Sequence, residues 1–113
     1  MSNKYCLVTT TCADAAEAKK ISRSLVEARL CACVQMFPIN SVYVWKGEVR
    51  DENEAALFIK CRREDYEEIE REILRNHSYE LPEIALLPIE GGLPGYLDWL
   101  EEAARERQVI NES

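Results

Sequence analysis

The sequence predicts an α+β fold: a four-stranded antiparallel sheet with two helices on one face, one long hairpin and a C-terminal helix. Three observations predict it. Apolar residues make up 47% of the chain and charged residues 31%, enough to build a core and unlike a disordered composition. The 113 residues suit a single domain over 1–113, with its core in 5–104 and a mobile tail expected over 108–113. The apolar pattern also switches repeatedly between a period of two and a period near 3.6, which orders the elements as β-α-β-β-α-β-α.

The elements follow in turn. "YCLVTT" (5–10) is apolar and β-branched and reads as a strand. Ala15, Ala18, Ile21, Leu25 and Ala28 then recur at helical spacing, with Lys19, Lys20, Arg23 and Glu27 on the other side, so a helix is expected over about 13–29. Asp14 with Glu17 three residues on resembles a capping box, and Thr11 is a competing cap. "CACVQMF" (31–37) turns β-like as far as Pro38, "SVYVW" (41–45) resumes, and "WKGE" supplies a tight turn at Gly47. Beyond the polar "RDENE" lies "AALFIKC" (55–61). Residues 31–61 thus read as one hairpin, bent or bulged near Pro38 and around Asp51–Asn53.

Tyr66, Ile69, Ile73 and Leu74 form the stripe of a second helix, supported by Glu67 and Arg71 and ending near Asn76–Ser78. "EIALLPI" (83–89) is the fourth strand, and Pro88 places it at an edge or an end. "EGGLPG" is a loop, and Tyr96, Trp99, Leu100 and Ala103 mark a last short helix. Right-handed crossovers with short links fold this order into the ferredoxin-like βαββαβ arrangement. The hairpin is too long for two helices to cover. It is apolar on both faces, with Val42 and Val44 on one and Tyr43 and Trp45 on the other. Such a ribbon predicts a homo-oligomer, closed by ring symmetry.

Several function classes are excluded. No apolar run approaches the roughly 20 residues that span a bilayer. "MSNKYCLVTT" lacks the layout of a signal peptide, so the expected compartment is the cytoplasm and no membrane partner is expected. A net charge of −7 opposes nucleic-acid binding. Five cysteines in an unexported chain argue against a disulfide framework. A copper-chaperone loop needs two thiolates; Cys12 is present, but Ala15 holds the second place. The first loop has no arginine to cradle phosphate, and no Gly-rich phosphate loop, HExxH or GxSxG occurs. No enzyme is expected.

The candidate site is "NHSYELPEIALLPIE" (76–90), which holds the only histidine, His77, with Tyr79 and Glu83 close behind. Imidazole and carboxylate suit Zn(II) or Cu(II), although a histidine closing a helix is common without function. Two protein ligands make an incomplete set, so a third must come from elsewhere, including another subunit. Cys31 and Cys33, two apart on a strand, share a face and offer two thiolates to a soft metal; as plain structure they are small buried hydrophobes. Cys6 and Cys61 read as core positions.

Six stretches in order, "LVTT" (7–10), "LVEARLCACV" (25–34), "SVYVWKGEV" (41–49), "EAALFIK" (54–60), "HSYELPEI" (77–84) and "GYLDWL" (95–100), resemble the CutA family, named for divalent-cation tolerance. The resemblance covers about residues 5–104. It implies a ferredoxin-like subunit in a compact homotrimer, cytoplasmic in bacteria, linked to tolerance of copper and other divalent metals and bringing no catalytic mechanism. The family's His-Pro-Tyr-x-x-Pro-Glu stretch falls on His77, Tyr79, Pro82 and Glu83, with Ser78 in place of the proline. The cysteine of its Leu-Ala-Ala-Cys-Val stretch falls on Cys33, and a cysteine that some members carry at the end of strand one falls on Thr10. The expectation is Cu(II) or another divalent cation bound weakly by His77, Glu83 and Cys33 in intersubunit clefts, with no organic cofactor. The alternative is a trimeric signalling or scaffold protein that holds a metabolite or partner protein in the same clefts through Tyr79, Trp45 and Lys60. An enzyme using His77 and Glu83 as acid and base lacks a nameable nucleophile or oxyanion site.

Overall fold

The computed structural model describes residues 4–112, with side chains to Ala104. Its elements are β1 (Tyr5–Cys12), α1 (Ala15–Glu27), β2 (Cys33–Trp45), β3 (Glu48–Arg62), α2 (Tyr66–Asn76), β4 (Ile84–Ile89) and α3 (Pro94–Glu112); a 3-10 turn over Arg63–Asp65 joins β3 to α2. The sheet runs β2-β3-β1-β4 with every pairing antiparallel, as the ferredoxin-like reading expects. α3 is longer than the short helix expected. The side chains beyond Ala104 and residue 113 lie outside the described part, and the expected mobile tail lies there with them.

Alternation decides what the sheet buries. Cys6, Val8, Thr10 and Cys12 of β1 are fully buried, while the residues between them are half-buried. They meet Leu57, Ile59 and Cys61 of β3 and the inner faces of α1 (Ala18, Ile21, Leu25) and α2 (Ile69, Ile73). Asp14 caps α1 by accepting the Glu17 N–H at 2.9 Å, and the Glu17 carboxylate reaches back to the Ala13 N–H at 3.1 Å. Thr11 stays in β1 and caps nothing. α1 stops without glycine: Arg29 takes the left-handed region (φ 60°), the Leu30 N–H bonds the Leu25 carbonyl and the Arg29 N–H bonds that of Val26. The left-handed backbone costs about 1 kcal/mol at a residue with a Cβ. Leu30, buried in the same cluster as Leu25, offsets part of that.

The hairpin differs from expectation in one respect. Its register runs unbroken from Cys33↔Lys60 to Trp45↔Glu48, so no bulge interrupts it at Pro38 or Asp51–Asn53. The polar stretch stays in the ladder because it is satisfied across the strands. Asn40 donates to Asp51 at 2.9 Å and to the Glu52 carbonyl at 3.2 Å, and the Tyr43 hydroxyl donates to Glu52 at 2.5 Å. Pro38 is tolerated because β2 is an edge strand of this chain. Lys46 (φ 51°) and Gly47 (φ 81°) make the two-residue turn, both left-handed, which matches strand twist.

Cys31 precedes β2 and enters the core, whereas Cys33 opens the strand half-buried. Cys31 thus lies outside the strand on which the sequence places both. On the opposite sheet face, α3 seats over the end of β3. There Arg62, alternating with buried Cys61, places its guanidinium against Asp65 (2.8 Å) and Glu101 (3.3 Å). The hairpin tip has no such cover: Val42, Val44 and Val49 are exposed. Nearer the base, on the sheet face away from Leu57 and Ile59, Phe37 and Phe58 are also exposed and pack edge-to-face at 5.0 Å.

Candidate metal centre

The antiparallel pairing of β1 with β4 sets the end of β1 beside the residues that enter β4. That ladder stops at Thr10↔Ile84, and the next backbone acceptor, the Thr11 carbonyl, is met by a side chain: His77 Nε2 lies 2.8 Å from it. The Tyr79 N–H donates to His77 Nδ1 at 3.1 Å. A donor at Nδ1 and an acceptor at Nε2 assign the neutral imidazole, with its proton on Nε2. The ring belongs to the residue that caps α2, is 1% exposed, and has the Tyr79 ring tilted against it at 4.8 Å.

Glu17 ties the corner from the α1 side. It accepts the Ala13 N–H and also the Ser78 N–H (2.8 Å), and its Oε1 stands 4.0 Å from His77 Nδ1. Burial alone would raise the Glu17 carboxyl; the N–H groups of Ala13 and Ser78 outweigh it and hold the group below the usual carboxylate range. Cys12, the last residue of β1, completes the corner. Burial, with the charges of Glu17, Asp14 and Glu54 behind it, pushes its thiol up to about 12. The Cys12 sulfur, a Glu17 oxygen and a His77 ring nitrogen all lie within 4.8 Å of one another. Thiolate, imidazole and carboxylate at that spacing form a borderline-soft donor set.

The structure thus joins His77 to Cys12 and Glu17, and leaves Glu83 and Cys33 outside the group. Glu83 lines an open cleft of about 720 Å³ with Tyr43, Trp45, Glu52 and Tyr79. The Tyr79 hydroxyl donates to Glu54 at 2.6 Å; burial first, then that carboxylate, pushes it above the ordinary tyrosine value. Lys60 lies away from the cleft, its Nζ on Gln35 at 2.5 Å. Of the three cleft residues expected, Tyr79 and Trp45 line it and Lys60 does not. Cys12 and Glu17 were missed as ligands, although the fold class carried a signal for them. In a βαββαβ chain the end of β1 lies beside the start of β4, so the residues just after β1 face those just before β4.

The profile of one family, described as CutA1 divalent ion tolerance protein, matches residues 6–103. The divalent-cation tolerance protein CutA of Archaeoglobus fulgidus is 42% identical over 86 residues, covering 76% of this chain and 84% of that one. The chloroplastic protein CutA of Arabidopsis thaliana is 42% identical over 88 residues, covering 77% of this chain and 48% of that longer one. Among solved structures, the periplasmic divalent cation tolerance protein CutA of Archaeoglobus fulgidus superposes with a TM-score of 0.87 at 37% identity, covering 88% of this chain and 98% of that one. CutA1 of Oryza sativa superposes with a TM-score of 0.87 at 35% identity, covering 93% and 99%.

Proposed function

Because the chain belongs to the CutA1 divalent ion tolerance family, we propose that it confers metal tolerance by binding the divalent cation itself, copper first, at the corner of Cys12, Glu17 and His77. The observation that carries the reading is the convergence of the three donors within 4.8 Å. The imidazole suits the role. Its Nε2–H is anchored on the Thr11 carbonyl, the kind of outer contact that orients metal-ligating histidines, and its Nδ1 lone pair is on the side of Glu17. To hold a cation there, His77 would offer the Nδ1 lone pair that now accepts the Tyr79 N–H, and Cys12 would give up its thiol proton. In the empty protein the same contacts serve as a structural tie between α1, β1 and the approach to β4.

The proposal includes a homotrimer built on the uncovered hairpin, a cytoplasmic location and no catalytic activity. No described helix is long and apolar enough to cross a membrane. In the proposed trimer a neighbouring copy would supply further donors to the cleft that Glu83 lines. Calorimetric titration with Cu(II) and Zn(II) tests the ligand set. Cys12→Ala and His77→Ala are each expected to weaken binding at least about tenfold, with circular dichroism confirming that both variants fold. Unchanged titrations of both variants remove the corner from the site, and a loss confined to Glu83→Gln moves the site to the cleft.

A further inference from the structure

The core holds a second sulfur cluster that the cation site does not use. Cys6 and Cys61 stand directly opposite each other across the β1–β3 ladder, both at 0% exposure, with their Sγ atoms 3.5 Å apart. Cys61 is also 3.7 Å from the Cys6 carbonyl. Among the described residues no third donor closes on the pair, so it offers a divalent ion too few ligands. We propose that Cys6 and Cys61 are a redox-convertible pair, a dithiol that hydrogen peroxide closes to a disulfide across the two central strands.

Geometry supports the step. Directly opposed residues of antiparallel strands have Cα atoms roughly 4.5–5.5 Å apart, inside the range of about 4.4–6.8 Å that a disulfide spans. The sulfurs must approach by about 1.5 Å to reach a bond of about 2.05 Å, which is side-chain torsion rather than strand movement. The two thiols are also unequal. The sulfur–sulfur contact holds the Cys6 thiol below its ordinary value and, with burial, pushes the Cys61 thiol above its own. Cys6 is therefore the nucleophile. Its thiolate attacks one peroxide oxygen, the O–O bond breaks, and the departing oxygen leaves as water after taking a proton, which makes Cys6 a sulfenic acid. The Cys61 sulfur then attacks Cys6, the S–O bond breaks, and the hydroxide leaves as water with the Cys61 proton. Two thiols and one peroxide give one disulfide and two waters; the sulfurs lose two electrons and the peroxide gains them.

Entry to the pair is set by the sheet. It lies one rung from the end of the β1–β3 ladder, and its neighbour on β4 is Pro88, which has no N–H to give. Local opening there, rather than chemistry, is expected to limit the rate.

The test treats the reduced, metal-free full chain with hydrogen peroxide, then alkylates it and maps peptides by mass. The expected product has lost two hydrogen atoms, with the Cys6 and Cys61 peptides linked, and it forms several-fold faster in low urea. Half-buried Cys33 reacts at the same rate with or without urea. Cys61→Ala abolishes the product, Cys33→Ala retains it, and the oxidised chain unfolds at higher temperature until reductant is added. A disulfide mapped to another pair overturns the proposal. So does the survival of both thiols under peroxide that fully oxidises Cys33. The wild-type map decides the matter even where Cys61→Ala fails to fold.

Discussion

The two ends of the β2–β3 hairpin share one backbone ladder and have opposite surroundings. At the base, Leu57, Ile59 and Cys61 are at 0% exposure beneath α1 and α2. At the tip, Val42, Val44 and Val49 are 66%, 70% and 74% exposed. β-propensity does not separate the ends, because the tip holds better strand formers than the base. What separates them is a second layer. A sheet face becomes core only where another element lies on it, and the helices of this chain stop short of the tip. The ladder itself continues because strand pairing needs a partner strand and no cover. An apolar tip on a paired ribbon is then a surface prepared for another molecule.

Changes at three places would break or sharpen this contrast. The largest effects belong to the covered end. Arg62→Met takes the guanidinium from the buried Asp65 carboxylate and is expected to cost about 3–5 kcal/mol, and Leu57→Ala about 2–5 kcal/mol, both read from urea unfolding. A loss under about 1 kcal/mol at Leu57 would mean that the base is not the core. Next comes the cap of α1: Asp14→Ala should cost about 1 kcal/mol in the same assay, while Asp14→Asn stays close to wild type. The smallest effect on the chain's own stability is expected at the tip. Val44→Glu with Val49→Glu should move the unfolding free energy of a monomer by no more than about 0.5 kcal/mol, as exposed positions do. Sedimentation should nonetheless show the same pair converting the proposed trimer to monomer. A wild-type chain that sediments as monomer at micromolar concentration would leave the tip without a partner.

Much of this was legible in the sequence, for physical reasons that also explain what was not. Periodicity located β1, α1, α2, the hairpin with its Lys46–Gly47 turn, and β4, because each has one buried face that leaves a regular imprint. The stretch Arg50–Glu54 read as an interruption because polarity looks like loop in a single strand. Only the partner strand shows Asn40 and Tyr43 satisfying it. The corner was half legible. His77 stood out as the only histidine, and the Asp14–Glu17 pairing was visible as a cap. That one carboxylate could cap α1 and also reach Ser78, 61 residues on, depends on a contact no local pattern records. Cys33 was favoured by its place in the family's motif and Glu83 by its nearness to His77 in sequence, and neither says where side chains converge.

The unbroken register of the hairpin has a further consequence, for how this protein can change over generations. Because strand side chains alternate with a period of two, one residue inserted or deleted within β2 or β3 would turn every position between it and the turn to the opposite face. Without a bulge to absorb the slip, the ribbon can lengthen or shorten only by matched steps on both strands, most simply beside the Lys46–Gly47 turn. Its reach is therefore inherited in fixed increments, and a surface built on the tip would be kept or lost as a whole.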